Sequence, residues 1–453
     1  MKSSGKAVVI GLARQGAALV RYLTRHGFQV LVNDIRDAYA LVPVLDMLSD
    51  CEFELVLGDH PPSILDGAST LFVSGGVPLE LPVIQEARKR SIPISNDSQL
   101  FLELCPAKVV AITGSSGKTT TTALLGDICQ RDAVDKPHRV WVGGNIGNPL
   151  LDVVEQIEPD DIVVSELSSF QLELMTSPVS VAGLLNITPN HLDRHKTLEA
   201  YTAAKARLLQ YQEEDSVAVL NLDDPGSHAL SSSVKGRKRL FSLSQTVKDG
   251  AYIENDEIFL VDPGTLPRSV CHTSQVKLRG KHNLANVLAA CVLADTVGVS
   301  IESLKASIGS FLGVDHRMEL VSTYGNAQWI NDSIATTPER LIAALLSYDE
   351  PIVLLAGGRD KYLPWEKAAL LMKQRARKVI LFGEAADLIK THLDQAQHPQ
   401  VTVVENLGEA VAKASIGVRE GDVVLLSPGG TSFDAYADFA ERGDDFRRLV
   451  EAL

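Results

Sequence analysis

AITGSSGKTTTTALLGDI, residues 111–128, is the stretch from which the fold is read. Val109 to Ile112 close a short apolar strand, and Thr119 to Ile128 carry the spacing of an amphipathic helix. Gly114 and Gly117 lie between them in a turn that can curl so that successive N–H groups point inward. Such a turn at a helix N-terminus is an anion nest, worth roughly half a unit charge. Lys118 is placed to reach the outer phosphates of a nucleotide, and the Thr119 hydroxyl to ligate magnesium. The spacing departs from G-x-x-x-x-G-K-[ST], because Ile112 stands where the first glycine belongs and Gly114 serves instead. Gly- and Ser-rich turns between strand and helix also occur without ligands; lysine and threonine directly after the glycine favour the phosphate cradle.

A length of 453 residues suggests about three domains. Hydrophobic residues make up 45% and charged residues 22%, the balance of a soluble globular chain with several cores. The net charge is −14, from 43 basic against 57 acidic residues, and no Lys/Arg stripe is present, which argues against a nucleic-acid surface. An anionic substrate must therefore be held by local nests and a few placed cations. Cys51, Cys105, Cys129, Cys271 and Cys291 are dispersed and never in C-x-x-C spacing, which points to reduced thiols and away from disulfides or zinc. The opening MKSSGKAVVIG enters a strand too early for a signal peptide, and no apolar run approaches the ~20 residues of a membrane span. A cytoplasmic protein without membrane insertion is expected.

Residues 6 to 105 alternate strands and helices, which implies a parallel sheet with helical crossovers. The first turn, GLARQG, has Gly11 and Gly16 at the outer positions of a dinucleotide fingerprint but Ala13 in the middle; Asp34 ends the second strand, where an acid can bind a ribose hydroxyl. This degenerate fingerprint fits a bound nucleotide or merely a tight turn. Residues 106 to 311 begin with the phosphate loop, continue through DIVVSEL, VAGLLNI and SVAVLNL, and include GAYIENDEIFLV, which alternates like a hairpin around Asn255-Asp256. Residues 312 to 453 open with two strands, MELVSTY and AQWINDS, and proceed by helix–strand alternation to a final helix. The fold class expected is α/β with three domains: N-terminal Rossmann-like, central ATPase-like with a mostly parallel sheet, and C-terminal Rossmann-like.

Glu166 ends the strand DIVVSE, where an acid completes the magnesium site of phosphate-loop proteins. NITPNHLDRH places His191, Asp193 and His195 on a loop after another strand end, where histidines are more often solvated than liganding. Lys205 follows in EAYTAAKARLL, ordinarily a solvated face, and is chemically unusual only if desolvated.

TGSSGKTT, ELSSFQLE, NITPNHLDRH, the helix with Lys205, GKHNLANVLAA, DHRMELV and NDSIATTP stand in the order seen in the Mur ligases. The chain resembles that family over essentially its whole length, and within it the enzymes that add D-glutamate. The resemblance implies an ATP-dependent ligase joining D-glutamate to UDP-N-acetylmuramoyl-L-alanine in cytoplasmic cell-wall (peptidoglycan) precursor synthesis, acting as a monomer. It implies UDP contacts from Ala13, Arg14, Gln15, Asp34, Ile35, Arg36 and the turn Ser74, Gly75, Gly76 and Val77, with Asn145, Ser168 and Gln171 toward the muramoyl group. It puts ATP on Gly114, Ser115, Ser116, Gly117, Lys118, Thr119 and Thr120, with Asn283 near adenine and Arg317 and Asp332 closing over the nucleotide. Two Mg2+ ions, replaceable by Mn2+, fall to Thr119 and Glu166 and to His191 and Lys205, the lysine as a CO2-derived carbamate; Lys118, Glu166, His191 and Lys205 are thereby the catalytic set. D-Glutamate falls to Thr336, Lys361, Ser432 and Phe439. One departure stands out. Ile334 occupies the place of a family lysine, and Thr337 that of an asparagine, so Lys118, Arg317 and the metals suffice there or another basic side chain substitutes.

Three other readings stay open at this point. They are a ligase of the same family with another amino-acid specificity, a nicotinamide-dependent oxidoreductase built on GLARQG and Asp34, and a non-catalytic nucleotide switch.

Overall fold

The computed structural model describes residues 5–361 and 363–453, and for Asp193 the backbone alone. Residues 1–4 of the expected first domain and the Asp193 side chain thus lie outside the described residues.

Three sheets organise the chain. The N-terminal sheet contains β1 (Lys6–Ile10), β2 (Gln29–Asp34), β3 (Glu54–Leu57), β4 (Ala68–Val73) and β5 (Ile94–Ser95). Its order is β3-β2-β1-β4-β5 with every neighbouring pair parallel. The order reverses between β1 and β4, and the crevice there is where ligands of open α/β sheets bind. The helix Arg14–Arg25 leaves that crevice packed so tightly that a Cβ on Gly16 would lie 2.1 Å from the Gly11 carbonyl oxygen.

The central sheet contains β6 (Lys108–Thr113), β7 (Val140–Gly144), β8 (Ile162–Glu166), β9 (Val181–Leu184), β10 (Val217–Asn221), β11 (Arg237–Ser242), β12 (Gly250–Glu254), β13 (Glu257–Val261) and β14 (Arg268–His272). Its order is β14-β13-β12-β11-β10-β9-β6-β8-β7. Pairing is parallel from β7 to β12 and antiparallel for the last two strands. The expected hairpin is β12–β13, and Asn255 and Asp256 both take positive φ, 50° and 59°, as a tight I′ turn requires. The strands β7, β11 and β14 are additional to those read from the sequence. β11 was hidden by RKR: Arg239 is 1% exposed and bonds Asp249, Asp262 and Asp295, so a charged residue occupies a core position through ion pairing.

The C-terminal sheet contains β15 (Glu319–Tyr324), β16 (Ala327–Asn331), β17 (Ile352–Gly357), β18 (Ala376–Phe382), β19 (Val401–Val403) and β20 (Val423–Gly429), ordered β15-β16-β20-β17-β18-β19. Only β15–β16 is antiparallel. β17 and β20 are buried along their whole length, so they read as unbroken apolar runs with helices over both faces.

By compactness the chain divides into residues 1–311 and 312–453. The first two sheets share one unit because side chains tie them together: Arg21 makes a two-pronged pair with Asp152, and the Asn96 amide donates to the Gln171 carbonyl at 2.8 Å. No helix among the described residues is long and apolar enough to cross a membrane.

Candidate active site

The turn after β6 is held from the neighbouring strand end. The Ser115 N–H donates to the Asn186 carbonyl at 3.0 Å and the Ser116 N–H to Asn186 Oδ1 at 2.9 Å. These two N–H groups are engaged by protein, so they are not among the successive inward-pointing amides expected of the nest. The anion-binding capacity sits one step later. The helix Lys118–Asp132 opens without a side-chain cap, the condition in which a helix N-terminus takes a phosphate. Gly117 starts it at φ +81°, and a Cβ there would lie 2.2 Å from Asn286 Oδ1. Asn286 donates to Asn283 Oδ1 at 3.1 Å, which links the loop to the residue expected near adenine.

Three charged side chains converge around Gly114. Glu166 pairs in register with Ile112 across β6–β8 and is 1% exposed. Its Oε1 accepts from Asn145 Nδ2 at 2.7 Å, while its buried Oε2 has no hydrogen-bond partner among the described residues. Lys118 Nζ donates to the Gly114 carbonyl at 3.0 Å, and Lys205 Nζ to the same oxygen at 2.9 Å and to Thr113 Oγ1 at 3.2 Å. Lys205 is 1% exposed, with its ammonium 4.8 Å from the Tyr201 ring centre. Burial, reinforced by the Lys118 charge and opposed by Glu166, holds its pKa well below the ordinary lysine value. The solvated-face reading of Lys205 is therefore wrong. Helix register turns the residue inward beneath the loop.

The NHLDRH stretch is also not the open loop expected, since Leu192–His195 form one helical turn headed by His191 at φ +53°. His191 is exposed and edge-on to Phe170 at 5.1 Å. His195 is buried, bonds Ser169 Oγ through Nε2 at 2.9 Å and faces Glu173 through Nδ1 at 3.3 Å. With both ring nitrogens so occupied, it is a packing residue. No three His, Cys, Asp or Glu side chains converge on a metal position among the described residues; the set inferred from sequence contains only two of these types, Glu166 and His191.

On the N-terminal side, Arg14 Nη2 donates to the Asn145 carbonyl at 3.1 Å, and Arg194 Nη2 to the Val77 carbonyl at 2.6 Å. A Cβ on Gly75 would touch Gln15 and Phe170, both at 3.6 Å. Arg14, Gln15, Ser74 to Val77, Asn145 and the Ser168–Gln171 turn are therefore brought together where the first two sheets meet. Ala13 heads the helix from Arg14 to Arg25, and Ile35 is 59% exposed. Asp34 behaves differently from the ribose ligand considered for it. Its two oxygens accept four bonds, from Leu12 N at 2.7 Å and from Arg36 N, Nε and Nη2 at 2.9, 2.9 and 2.7 Å. Burial raises its pKa, but the Arg36 guanidinium and the two backbone amides outweigh that and hold it at about 2. Four donors fill a carboxylate's capacity, which removes the hydroxyl contact on which the nicotinamide reading depends. Gln171 is likewise committed, accepting from Ser168 N at 2.9 Å and donating to Ser98 Oγ at 2.8 Å.

In the second unit, Lys361 Nζ stands 3.4 Å from Thr336 Oγ1, and burial together with the Arg340 charge lowers its pKa. Ser432 is 2% exposed and Phe439 begins the helix Phe439–Glu451. Asp332 is buried and accepts from Ser427 Oγ at 3.0 Å; burial raises its pKa to about 7 against the pull of Ser427 and Arg317. Sequence reasoning missed two arginines here. Arg340 Nη1 donates at 2.9 Å to the carbonyl of Ile334, the residue lacking the family's positive charge. Arg442 shares the buried stripe of its helix with Phe446 and Val450. An arginine in an apolar i, i+4, i+8 series was the available signal.

Three family models match in sequence: the MurD-like N-terminal domain of Mur ligases over residues 5–96, the Mur ligase middle domain over 112–294, and the Mur ligase glutamate ligase domain over 316–430. A protein of Pelotomaculum thermopropionicum is 38% identical, covering 99% of this chain and 98% of its own. One of Clostridium botulinum is 34% identical, covering 99% and 97%. Both are named UDP-N-acetylmuramoylalanine-D-glutamate ligase. Among solved structures, the UDP-N-acetylmuramate-alanine ligase MurC of Thermotoga maritima superposes with TM-score 0.58 at 20% identity, covering 99% of both chains. MurF of Acinetobacter baumannii does so with TM-score 0.56 at 16% identity, covering 98% of this chain and 90% of that one. The three-domain α/β fold is shared with both.

Proposed function

The chain belongs to the Mur ligase family, and from that premise we propose that it is the ATP-dependent ligase joining D-glutamate to UDP-N-acetylmuramoyl-L-alanine in peptidoglycan precursor synthesis. The full-length likeness to relatives of that name supports the substrates. The observation that carries the chemistry is the convergence of Lys118, Lys205 and the half-satisfied Glu166 on one turn.

An amide does not form from a carboxylate and an amine in water without a better leaving group than hydroxide. The alanyl carboxylate oxygen attacks the γ-phosphorus of ATP, its bond to ADP breaks, and an acyl phosphate forms. The D-glutamate amine then attacks the acyl carbon; the tetrahedral intermediate expels phosphate, and the amine proton passes to phosphate or solvent. Lys118 and the uncapped first turn of its helix hold the phosphates through this sequence.

The buried, partnerless Glu166 Oε2 fits a hard cation, with Thr119 as its companion ligand. Bound Mg2+, or Mn2+ in its place, supplies charge neutralisation on the transferring phosphoryl group. Burial disfavours the charged form of Lys205, and its neutral amine is the form that adds CO2 by forming an N–C bond with loss of a proton. The resulting carbamate, with His191, would offer oxygen and nitrogen donors to a second cation.

In this reading residues 1–105 bind UDP, 106–311 bind ATP and the muramoyl end, and 312–453 bind D-glutamate. Asp34 and Gln171 act as supports, the first orienting Arg36 and the Leu12 amide, the second the Ser168–Phe170 turn. Arg340 supplies the positive charge that Ile334 does not. The protein acts as a monomer in the cytoplasm.

The test is isotopic. With 18O in the alanyl carboxylate, one labelled oxygen should appear in the released phosphate for each amide formed. Unlabelled phosphate would refute carboxylate activation.

A further inference from the structure

Arg442 is wholly buried, and no carboxylate stands within ion-pair distance of it among the described residues. Its guanidinium is satisfied by neutral acceptors alone. Nε donates to Ser333 Oγ at 3.0 Å, Nη1 to the Thr431 carbonyl at 3.0 Å, and Nη2 to the carbonyls of Ser333 and Gly430 at 2.9 and 3.2 Å. Burial lowers its pKa to about 10, so it remains a cation at neutral pH.

These acceptors are not scattered. Ser333 precedes Thr336 by three residues, and its hydroxyl donates to the Phe439 carbonyl at 2.7 Å. Thr431 precedes Ser432 and exchanges two backbone bonds of 2.8 Å with Arg359, two residues before Lys361. A Cβ on Gly358 would lie 2.8 Å from Arg442 Nη1. Every residue inferred to hold D-glutamate is thus within three positions of a group that Arg442 bonds, or of that group's own hydrogen-bond partner. A planar fork with five donors bonds two loops at once, which an ammonium serves less well, and the third loop is tied to them through Thr431 and Arg359. The buried charge, on which the Asp434 carboxylate acts from beyond ion-pair distance, also biases the surrounding loops toward an anionic ligand.

We propose that Arg442 is a positioning residue that holds the loops 333–336, 358–361 and 430–432 in the register that receives the carboxylates of D-glutamate. The proposal rests on the D-glutamate reading above. It acts through the loops rather than by touching the reacting atoms.

The experiment measures KM for D-glutamate, ATP and the UDP-linked substrate separately, together with kcat and thermal unfolding, in the full-length enzyme and in Arg442→Lys and Ser333→Ala. Arg442→Lys keeps the charge and loses the fork. It should raise KM for D-glutamate about tenfold or more, the effect of losing charge-assisted hydrogen bonds, while the other two stay within about twofold. Ser333→Ala removes one acceptor and should raise the same KM about three- to tenfold; if Arg442→Lys does not fold, this variant decides alone. An unchanged KM for D-glutamate overturns the proposal, and so does a parallel rise in all three constants. An unaltered enzyme that forms no product from D-glutamate refutes the proposed function instead, a result the variants cannot mimic.

Discussion

Replacing Gly117 by alanine puts a methyl group where the phosphate loop has neither the conformation nor the space for it. At φ +81° an L-residue costs about 1–2 kcal/mol. The new Cβ would also lie 2.2 Å from Asn286 Oδ1, so the amide must move and its 3.1 Å bond to Asn283 breaks, at about 1 kcal/mol. The sum is about 2–3 kcal/mol, which corresponds to a fall in Tm of about 3–5 °C for the transition of a unit the size of residues 1–311. Because the same distortion sits at the uncapped helix start, ATP affinity measured by titration calorimetry should fall at least about tenfold. Adding Asn286→Ala relieves the clash but removes the same bond to Asn283, so the double variant should stay within about 1 kcal/mol of Gly117→Ala, with the left-handed backbone cost in place. A Gly117→Ala protein with unchanged Tm and ATP affinity would refute the reasoning. Full recovery in the double variant would show that the backbone conformation is not what demands glycine.

Arg340→Ala should lower kcat at least about tenfold with a smaller change in KM for D-glutamate, since it removes the cation that stands at Ile334 in place of the missing lysine; equal kinetics would remove Arg340 from the site. Lys205 has a folded-state pKa below its unfolded value, so the unfolded chain binds more protons and stability rises with pH from the folded-state pKa up to about 10.4. In CO2-free buffer without ligands, Lys205→Met should flatten that rise in denaturant titrations, and an unaltered slope would mean the lysine is not held neutral. Asp332 is the opposite case, with a folded-state pKa of about 7 above the unfolded carboxylate value of about 3.9. The folded state binds the extra proton, so this group's contribution falls as pH rises from about 4 to about 7, and Asp332→Asn should abolish that component.

Much of this molecule is legible in one sequence because parallel α/β sheets write their strands as short apolar runs, and PIVLLAGG and DVVLLSP correspond to fully buried strands. The phosphate loop was legible because lysine and threonine follow glycine at one spacing. What stayed hidden depends on contacts between distant segments. Asn186 captures two amides of the loop from 70 residues away. Lys205 reads as a surface residue until its helix is docked under Gly114, and His195 reads as a free imidazole until Ser169 and Glu173 close on it. Asp34 carries the position of a ribose ligand and is filled by its own neighbour, Arg36. Charged residues inside the core, Arg239 and Arg442, break the apolar pattern that marks a buried element.

The proposed reaction is defined by which amine the enzyme accepts. Phosphate release from ATP should be measured with magnesium and UDP-N-acetylmuramoyl-L-alanine, offering D-glutamate, L-glutamate, L-alanine and meso-diaminopimelate in turn. Release with D-glutamate alone, abolished by Lys118→Ala, is the predicted result. Release that ignores D-glutamate, or that follows another of these amines, would contradict the central claim.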